Sequence, residues 1–127
     1  MTKDDPRLHQ FKRLLDIIDE LRQKCPWDMK QTNDSLRKLT IEETYELAEA
    51  IIEGDDEAIR DELGDLMLHI VFYAKIGSEK GKFSIEDILA GINDKLVYRH
   101  PHVFGDVSVG GSAEVEKNWE KLKMKEN

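Results

Sequence analysis

The chain has 127 residues, enough for one modest hydrophobic core. Its net charge of −8 excludes the broad basic face that duplex nucleic acid requires. No apolar run approaches the ~20 residues of a membrane span, and the first residues are too polar for a signal peptide. The single cysteine, Cys25, allows no internal disulfide, so we expect a soluble protein of the reducing cytoplasm with no membrane partner.

Leucine, isoleucine and phenylalanine recur at helical intervals in the first part of the chain. They predict an amphipathic helix over residues 8–24, which Pro26 ends. Residues 25–34 carry turn formers and show no periodicity, so they predict an ordered loop.

A second helix is predicted from about residue 35. A capping box formed by Thr40 and Glu43 would break it and restart the regular helix at residue 40. Gly54 is expected to end this helix, and one of the two aspartates after it to cap a third helix reaching about residue 79.

Two further helices are predicted in the last third of the chain. Ser84 and Asp87 have the form of a capping box for a fourth helix, which Pro101 ends. The glycine-rich residues 101–112 predict a loop or lid, and Ser112 is expected to cap a short last helix. The elements together predict an all-α fold, a four- to five-helix bundle.

The third helix is apolar in nearly every direction, which is typical of a buried helix. Glu62 and Asp65 lie within it, and a buried carboxylate is costly unless it meets a cation or takes up a proton. If the second and third helices pack antiparallel, Glu43 and Glu46 face Glu62 and Asp65. The sequence therefore predicts a site of four carboxylates.

A divalent cation would relieve the repulsion within such a site. Two carboxylates at ~4 Å repel by roughly 4 kcal/mol at an effective dielectric near 20. Oxygen ligands without cysteine favour Mg²⁺ or Mn²⁺ over zinc, and Mg²⁺ is commonly shared with substrate phosphates. The pattern indicates metal-assisted attack of water on a phosphate chain.

Each acidic residue also has a purely structural interpretation. Glu43 can be a capping-box residue, and Glu62 can simply favour the positive end of its helix. Glu42 belongs to a row of glutamates that forms a solvated face, although it adjoins the proposed ligands and could orient a water. His69 is expected to be a hydrogen-bonded core histidine.

Four segments resemble one family closely. They are "CPWDMKQT", "IEETYELAEAI", "DELGDLMLHIVFYAKI" and "KLVYRHPHVFGD", and they resemble the MazG-type nucleoside triphosphate pyrophosphohydrolases. The likeness spans residues 24–123 of what we expect to be a single domain, residues 1–127. It implies an all-α fold that forms a homodimer or higher oligomer. It also implies Mg²⁺-dependent hydrolysis of an NTP or dNTP to the monophosphate and pyrophosphate.

The family's EExxE and ExxD motifs fall on residues of the predicted carboxylate site. By this resemblance the metal ligands are Glu43, Glu46, Glu62 and Asp65. The metal is Mg²⁺, with Mn²⁺ as a possible substitute. Glu42 is then a candidate catalytic base.

The resemblance also assigns substrate contacts. The family's basic pair falls on Lys95 and Arg99, which from the sequence alone form an ordinary surface pair. In the family's role they hold phosphate oxygens and stabilise developing charge. Trp119 and Lys123 match a further pair in which the indole stacks on a base, the alternative for Trp119 being a helix anchor. Trp27 is similarly either a base contact or a loop anchor.

Some features depart from the family pattern or leave alternatives open. Asn33 stands where related sequences often carry a histidine, so a base-recognition role there is doubtful. His100 and His102 have the spacing of a metal pair, but no third ligand is evident and we expect them to preorganise the loop. Many family members carry two copies of the domain. The chain could therefore be the inactive, dimerising half of a longer protein. A phosphohydrolase of a non-nucleotide diphosphate is a third hypothesis.

Overall fold

The computed structural model describes residues 4–126. Within this range it has seven helices and no strand, which confirms the predicted all-α class. The helices are α1 (Pro6–Lys24), α2 (Pro26–Met29), α3 (Asn33–Glu53), α4 (Asp56–Glu79), α5 (Ile85–Arg99), α6 (Pro101–Phe104) and α7 (Ser112–Lys125). The chain forms two compact units, a first one up to Ile85 and a second one from Glu86 onward. No helix within residues 4–126 is both long and apolar enough to cross a membrane.

Five of these helices correspond to the predicted ones, and the two single-turn helices do not. Both α2 and α6 lie in segments that were predicted to be loops, and both begin with a proline. Proline favours the first helical position, because its fixed φ suits a helix and its missing N–H is not needed there. A single turn is too short to produce a periodic pattern.

The predicted break at Thr40 is wrong, and α3 is continuous from Asn33. The capping box that begins it pairs Thr32 with Ser35, each side chain bonding the other residue's backbone N–H at 3.1 and 2.9 Å. The hydroxyl of Thr40 instead donates to the carbonyl of Leu36 at 3.1 Å. Ser112 is also not a cap, because the N-cap of α7 is Gly111.

The turn between α3 and α4 forms as the sequence predicts. Gly54 ends α3 in the left-handed conformation at φ 69°, which costs glycine little because it has no Cβ. The side chain of Asp55 then caps α4 by accepting from the backbone N–H of Ala58 at 3.1 Å. The two helices pack along each other across this turn.

The hydrophobic core of the first unit lies where α4 meets α1 and α3. Its buried side chains are Ile18, Leu36, Val71, Phe72 and Ile76. The buried residues of α4 all lie in its C-terminal half, from His69 onward. The first half leaves Leu63 and Met67 exposed, and Ile70 just after it is exposed as well. The expectation that the whole helix is buried is therefore wrong for the single chain. The site residues Glu62 and Asp65 lie in its more open half.

Candidate active site

Helices α3 and α4 bring three of the four predicted metal ligands together. One carboxylate oxygen each of Glu43, Glu62 and Asp65 lies within 4.8 Å of the other two. We call these three residues the acidic cluster. Glu43 comes from α3 and the other two from α4, so the antiparallel pairing across the Gly54 turn creates the cluster.

Two oxygens of the acidic cluster have no hydrogen-bond partner. Oε2 of Glu43 and Oε2 of Glu62 are both buried, and neither is bonded to any residue in the described range 4–126. Two ionised carboxylates cannot bond each other, since neither carries a proton to donate. A proton held between them does allow such a bond, and this raises the pKa of Glu43 to about 7. Burial and the charges of Asp65, Glu46 and Glu62 act in the same direction.

The fourth predicted ligand, Glu46, lies beside the acidic cluster. Repulsion from Glu62 is the largest of several effects that raise its pKa. The side chain of Glu46 is exposed, so it can turn toward a bound ion. Glu42, the proposed base, is exposed on the same helix and contributes to the repulsion felt by Glu46.

The acidic cluster fits a divalent cation of the Mg²⁺ class. One oxygen from each of its three carboxylates lies within 4.8 Å of the others, close enough for one small cation to contact all three. The two buried oxygens without hydrogen-bond partners could each bind such a cation. All the ligand atoms of the cluster are carboxylate oxygens, which Mg²⁺ prefers.

His69 is the buried, hydrogen-bonded core histidine that the sequence predicts. Its Nδ1 lies 2.8 Å from the hydroxyl of Thr40, which also contacts the hydroxyl of Tyr73. Burial lowers the pKa of His69, and the Asp65 carboxylate opposes that shift. Thr40 therefore ties α3 to α4 one turn beyond the acidic cluster.

The second unit brings the predicted basic residues together. Lys95, Arg99 and Lys123 line an open cavity of about 400 Å³, together with Glu120, Met124 and Glu126. We call it the basic cavity. Trp119 adjoins it, since the guanidinium of Arg99 lies 5.5 Å from the centre of the indole ring. Both α5 and α7 contribute to this cavity.

Arg99 is already bound by a carboxylate. Its Nε and Nη2 donate to the two oxygens of Glu126 at 2.9 and 2.8 Å. The hydrogen bonds from Arg99 lower the pKa of Glu126. This paired geometry is the one an arginine offers to a phosphate group.

His100 lies beside Trp119, and His102 lies beside His100. His100 bonds the carbonyl of Leu96 through Nδ1 at 2.6 Å, and its ring meets the indole edge to face at 5.0 Å. The rings of His100 and His102 are 5.5 Å apart. These contacts hold the start of α6 against α7.

Trp27 lies on α2 in the first unit, with 51% of its surface exposed. We call residues 26–31 the Trp27 segment. Arg22 binds its carbonyls at Asp28 and Gln31, and the buried side chain of Gln31 binds the carbonyl of Trp27 within the segment. Cys25, half-buried, precedes the segment as the N-cap of α2. The indole is thus an exposed ring on a firmly held backbone.

Sequence reasoning missed Arg22 and Glu126. Each forms an ion pair with a residue far away in the sequence: Arg22 with Glu79, and Glu126 with Arg99. No local spacing signals such a contact, so only the folded structure could identify them.

A family model matches more than half of the chain. The sequence model of the family named MazG nucleotide pyrophosphohydrolase domain matches residues 31–104. That range includes the acidic cluster, Lys95 and Arg99, whereas Trp27, Trp119 and Lys123 lie outside it.

Several curated proteins are similar over nearly the whole chain. A nucleoside triphosphate pyrophosphohydrolase of Escherichia coli K12 is 47% identical over 94% of this chain and 46% of that protein. One from Thermotoga maritima is 49% identical over 91% of this chain and 45% of that protein. The uncharacterized protein YabN of Bacillus subtilis is 48% identical over 93% of this chain and 24% of that protein. The chain thus spans less than half the length of these relatives.

A solved structure is also similar. The crystal structure of a MazG-related protein from Thermotoga maritima has a TM-score of 0.76 and 28% identity, covering 89% of this chain and 98% of that one. The family match covers more than half of the chain, and it includes the carboxylates that the structure gathers. The chain belongs to the family of MazG nucleotide pyrophosphohydrolase domains.

Proposed function

We propose that this chain hydrolyses nucleoside triphosphates to the monophosphate and pyrophosphate with the help of Mg²⁺. The observation that carries the proposal is the acidic cluster with its two orphaned buried oxygens. A cluster of repelling carboxylates is unfavourable by itself, and a cation shared with a triphosphate gives it a role. The pyrophosphohydrolase names of the relatives support the same reaction.

The proposed ligands are Glu43, Glu62 and Asp65, with Glu46 completing the set. When bound, a divalent ion supplies positive charge to the phosphate oxygens and lowers the pKa of a bound water. Mn²⁺ is expected to substitute for Mg²⁺, because both accept carboxylate oxygens.

Glu42 is proposed to accept the proton of the attacking water. The water oxygen bonds to the α-phosphorus, the bond to the bridging oxygen breaks, and pyrophosphate leaves with its electron pair. Lys95 and Arg99 are proposed to bind the phosphate oxygens, and Lys123 to assist them. Trp27 and Trp119 are proposed to contact the base by stacking.

We propose that two copies of the chain associate. Exposed apolar side chains follow one stripe of α3, namely Ile41, Tyr45 and Ile52, with exposures of 52%, 73% and 85%. A second exposed set lies on α4, at Leu63, Met67 and Ile70. Apolar surface of this extent is typical of an interface between subunits.

The same apolar stripes support a second candidate function, that of an inactive dimerisation module of a longer protein. The two candidates differ in their response to metal. We expect millimolar Mg²⁺ with nucleotide to raise the melting temperature of an enzyme, because ligands stabilise the state that binds them. An inert module would melt at the same temperature with and without them.

The remaining proposals concern the chain as a whole. We propose that residues 1–127 act as one catalytic domain with two compact units. The single cysteine supports a place in the reducing cytoplasm.

Pyrophosphate release over a panel of NTPs and dNTPs, with and without Mg²⁺, tests the proposed reaction. We expect release with Mg²⁺ and none in EDTA. Glu62→Gln should abolish release and keep the helical circular dichroism signal, whereas Glu49→Gln, an exposed change on α3, should keep both. Wild-type turnover in Glu62→Gln would refute the metal assignment. A preference for non-nucleotide diphosphates would refute the substrate class.

A further inference from the structure

Backbone and side-chain hydrogen bonds hold the Trp27 segment between α1 and α3. The backbone N–H of Met29 donates to the carbonyl of Cys25 at 2.9 Å, and that of Gln31 to Asp28 at 3.3 Å. The side-chain amide of Gln31 donates to the carbonyl of Trp27 at 2.8 Å and accepts from the Ser35 hydroxyl at 2.8 Å. The Trp27 backbone is thereby linked to the first turn of α3.

Arg22, in the last turn of α1, binds the end of this segment. Its Nη1 donates to the carbonyls of Asp28, Met29 and Gln31 at 2.6, 3.2 and 2.9 Å. These carbonyls lie at the C-terminal end of the short helix α2 and beyond it, where backbone acceptors have no helical partner. A cation at this position also complements the negative end of the helix.

The other edge of the Arg22 guanidinium is anchored on α4. Nε and Nη2 donate to the Glu79 carboxylate at distances of 3.0 to 3.2 Å. The guanidinium also lies 5.6 Å from the centre of the Phe72 ring in the core. Only 14% of the Arg22 side chain is exposed. The segment is therefore attached to the rigid part of the first unit through one planar group.

Lysine could not replace this arginine. A guanidinium presents donors along two edges at once, whereas an ammonium is a single point on a flexible stem. A lysine at position 22 could bind either the carbonyls or Glu79.

We propose that Arg22 is a positioning residue that fixes the Trp27 indole for contact with the nucleotide base and so sets base discrimination. This inference rests on the proposed function, because it takes Trp27 as a base contact. Trp27 is 51% exposed, its carbonyl is bound by the Gln31 side chain, and the carbonyl of the next residue, Asp28, is bound by Arg22. An exposed ring on a fixed backbone is the arrangement that a stacking platform needs. The segment also leads directly into α3, which carries Glu43 about 15 Å further along its axis.

Amide exchange in the nucleotide-free protein tests the structural part. We expect Arg22→Met to accelerate exchange at Met29 and Gln31 at least tenfold, while Arg13→Met, an exposed change of equal charge on α1, has no effect. Arg22→Lys keeps the charge and the aliphatic stem, so it replaces Arg22→Met as the test variant if Arg22→Met does not fold. Unchanged exchange in a folded Arg22 variant would overturn the proposal.

Steady-state kinetics over ATP, GTP, CTP and UTP test the functional part. We expect Arg22→Met to reduce the spread of kcat/KM between the best and worst nucleotide at least fivefold. This loss of discrimination between nucleotides should appear as changes in KM, with kcat for each nucleotide within twofold of the wild type. Trp27→Ala should reduce the spread equally, and adding Arg22→Met to it should cause no further reduction.

The outcomes separate the two hypotheses. Absence of NTP hydrolysis by the wild type would refute the proposed function. Normal hydrolysis with an unchanged spread in Arg22→Met would refute the positioning role alone. The positioning role would also be refuted by a loss confined to kcat, or by a Trp27→Ala variant with wild-type discrimination.

Discussion

Replacement of Glu62 by glutamine should stabilise the metal-free protein while it abolishes the stabilisation by metal. Glu62 belongs to the acidic cluster, with oxygens of Glu43 and Asp65 within 4.8 Å of its own. Glutamine keeps the shape of the side chain and removes its charge. Its amide can also donate to Glu43, which an ionised carboxylate cannot do.

The distance sets the size of this effect. Two unit charges 4.8 Å apart repel by about 0.9 kcal/mol in water and about 3.5 kcal/mol at an effective dielectric near 20. Asp65 is exposed and Glu43 and Glu62 are only half-buried as whole residues, so solvent screens both of the repulsions removed and the smaller value is appropriate for each. We therefore expect a gain of about 1–2 kcal/mol, or a rise in Tm of roughly 3–8 °C for a chain of this size.

Scanning calorimetry at pH 8 checks this expectation, because Glu43, with a pKa of about 7, is ionised there. In EDTA, Glu62→Gln should melt above the wild type. With Mg²⁺ and nucleotide the wild type should gain stability and the variant should not. Glu49→Gln, exposed on α3, should behave as the wild type does. A lower Tm for Glu62→Gln in EDTA, or a full response to Mg²⁺, would refute the reasoning.

Three further predictions concern pH, phosphate binding and packing. The folded pKa of Glu43 is about 7, above its ordinary value of 4.5, so the folded state binds more protons between these values. Its contribution to stability is therefore present below pH 4.5 and lost as pH rises to about 7, and thermal melts in EDTA should show this loss. Glu126→Gln should release Arg99 for phosphate and lower the Kd for inorganic triphosphate by about fivefold, measured by calorimetry. Gly64→Ala should stabilise α4 by about 0.5–1 kcal/mol, whereas Gly77→Ala should be less stable than Gly64→Ala because its new methyl group meets an aromatic ring.

Each of these predictions has a control. The depressed pKa of His69 acts in the opposite direction with pH, so the contribution of Glu43 is the difference between the wild type and Glu43→Gln. An equal pH dependence in both proteins would contradict it. Glu116→Gln, an exposed change on α7, should leave the triphosphate Kd unaltered. For the two glycine variants, Phe83→Leu should restore much of the stability that Gly77→Ala loses. If Gly77→Ala lost as much stability in the Phe83→Leu background, the proposed clash with the Phe83 ring would be contradicted.

The sequence predicts the long helices well because their hydrophobic periodicity and their stop signals agree. Gly54 illustrates this, since a glycine after an amphipathic run both ends α3 and sets the turn into α4. The start of α3 agrees with the prediction to within two residues, but the predicted break at Thr40 was wrong, because Thr40 with Glu43 and Thr32 with Ser35 both satisfy local capping chemistry. Only the packing of α3 selects between them.

The acidic cluster was predictable because its residues lie on two adjacent helices with a short turn. Helical spacing and one assumption of antiparallel packing were enough to bring Glu43 near Glu62 and Asp65. The ion pair of Arg99 with Glu126 and the carbonyl contacts of Arg22 were not predictable. They depend on how separate helices meet, which leaves no pattern in the chain.

The most direct test of the account is to follow the oxygen that enters the products. The protein would hydrolyse an NTP in H₂¹⁸O, with Mg²⁺ or with EDTA, and mass spectrometry would locate the label. Attack at the α-phosphorus predicts ¹⁸O in the nucleoside monophosphate, unlabelled pyrophosphate, and no reaction in EDTA. Label in pyrophosphate, release of orthophosphate, or equal turnover in EDTA would contradict the account.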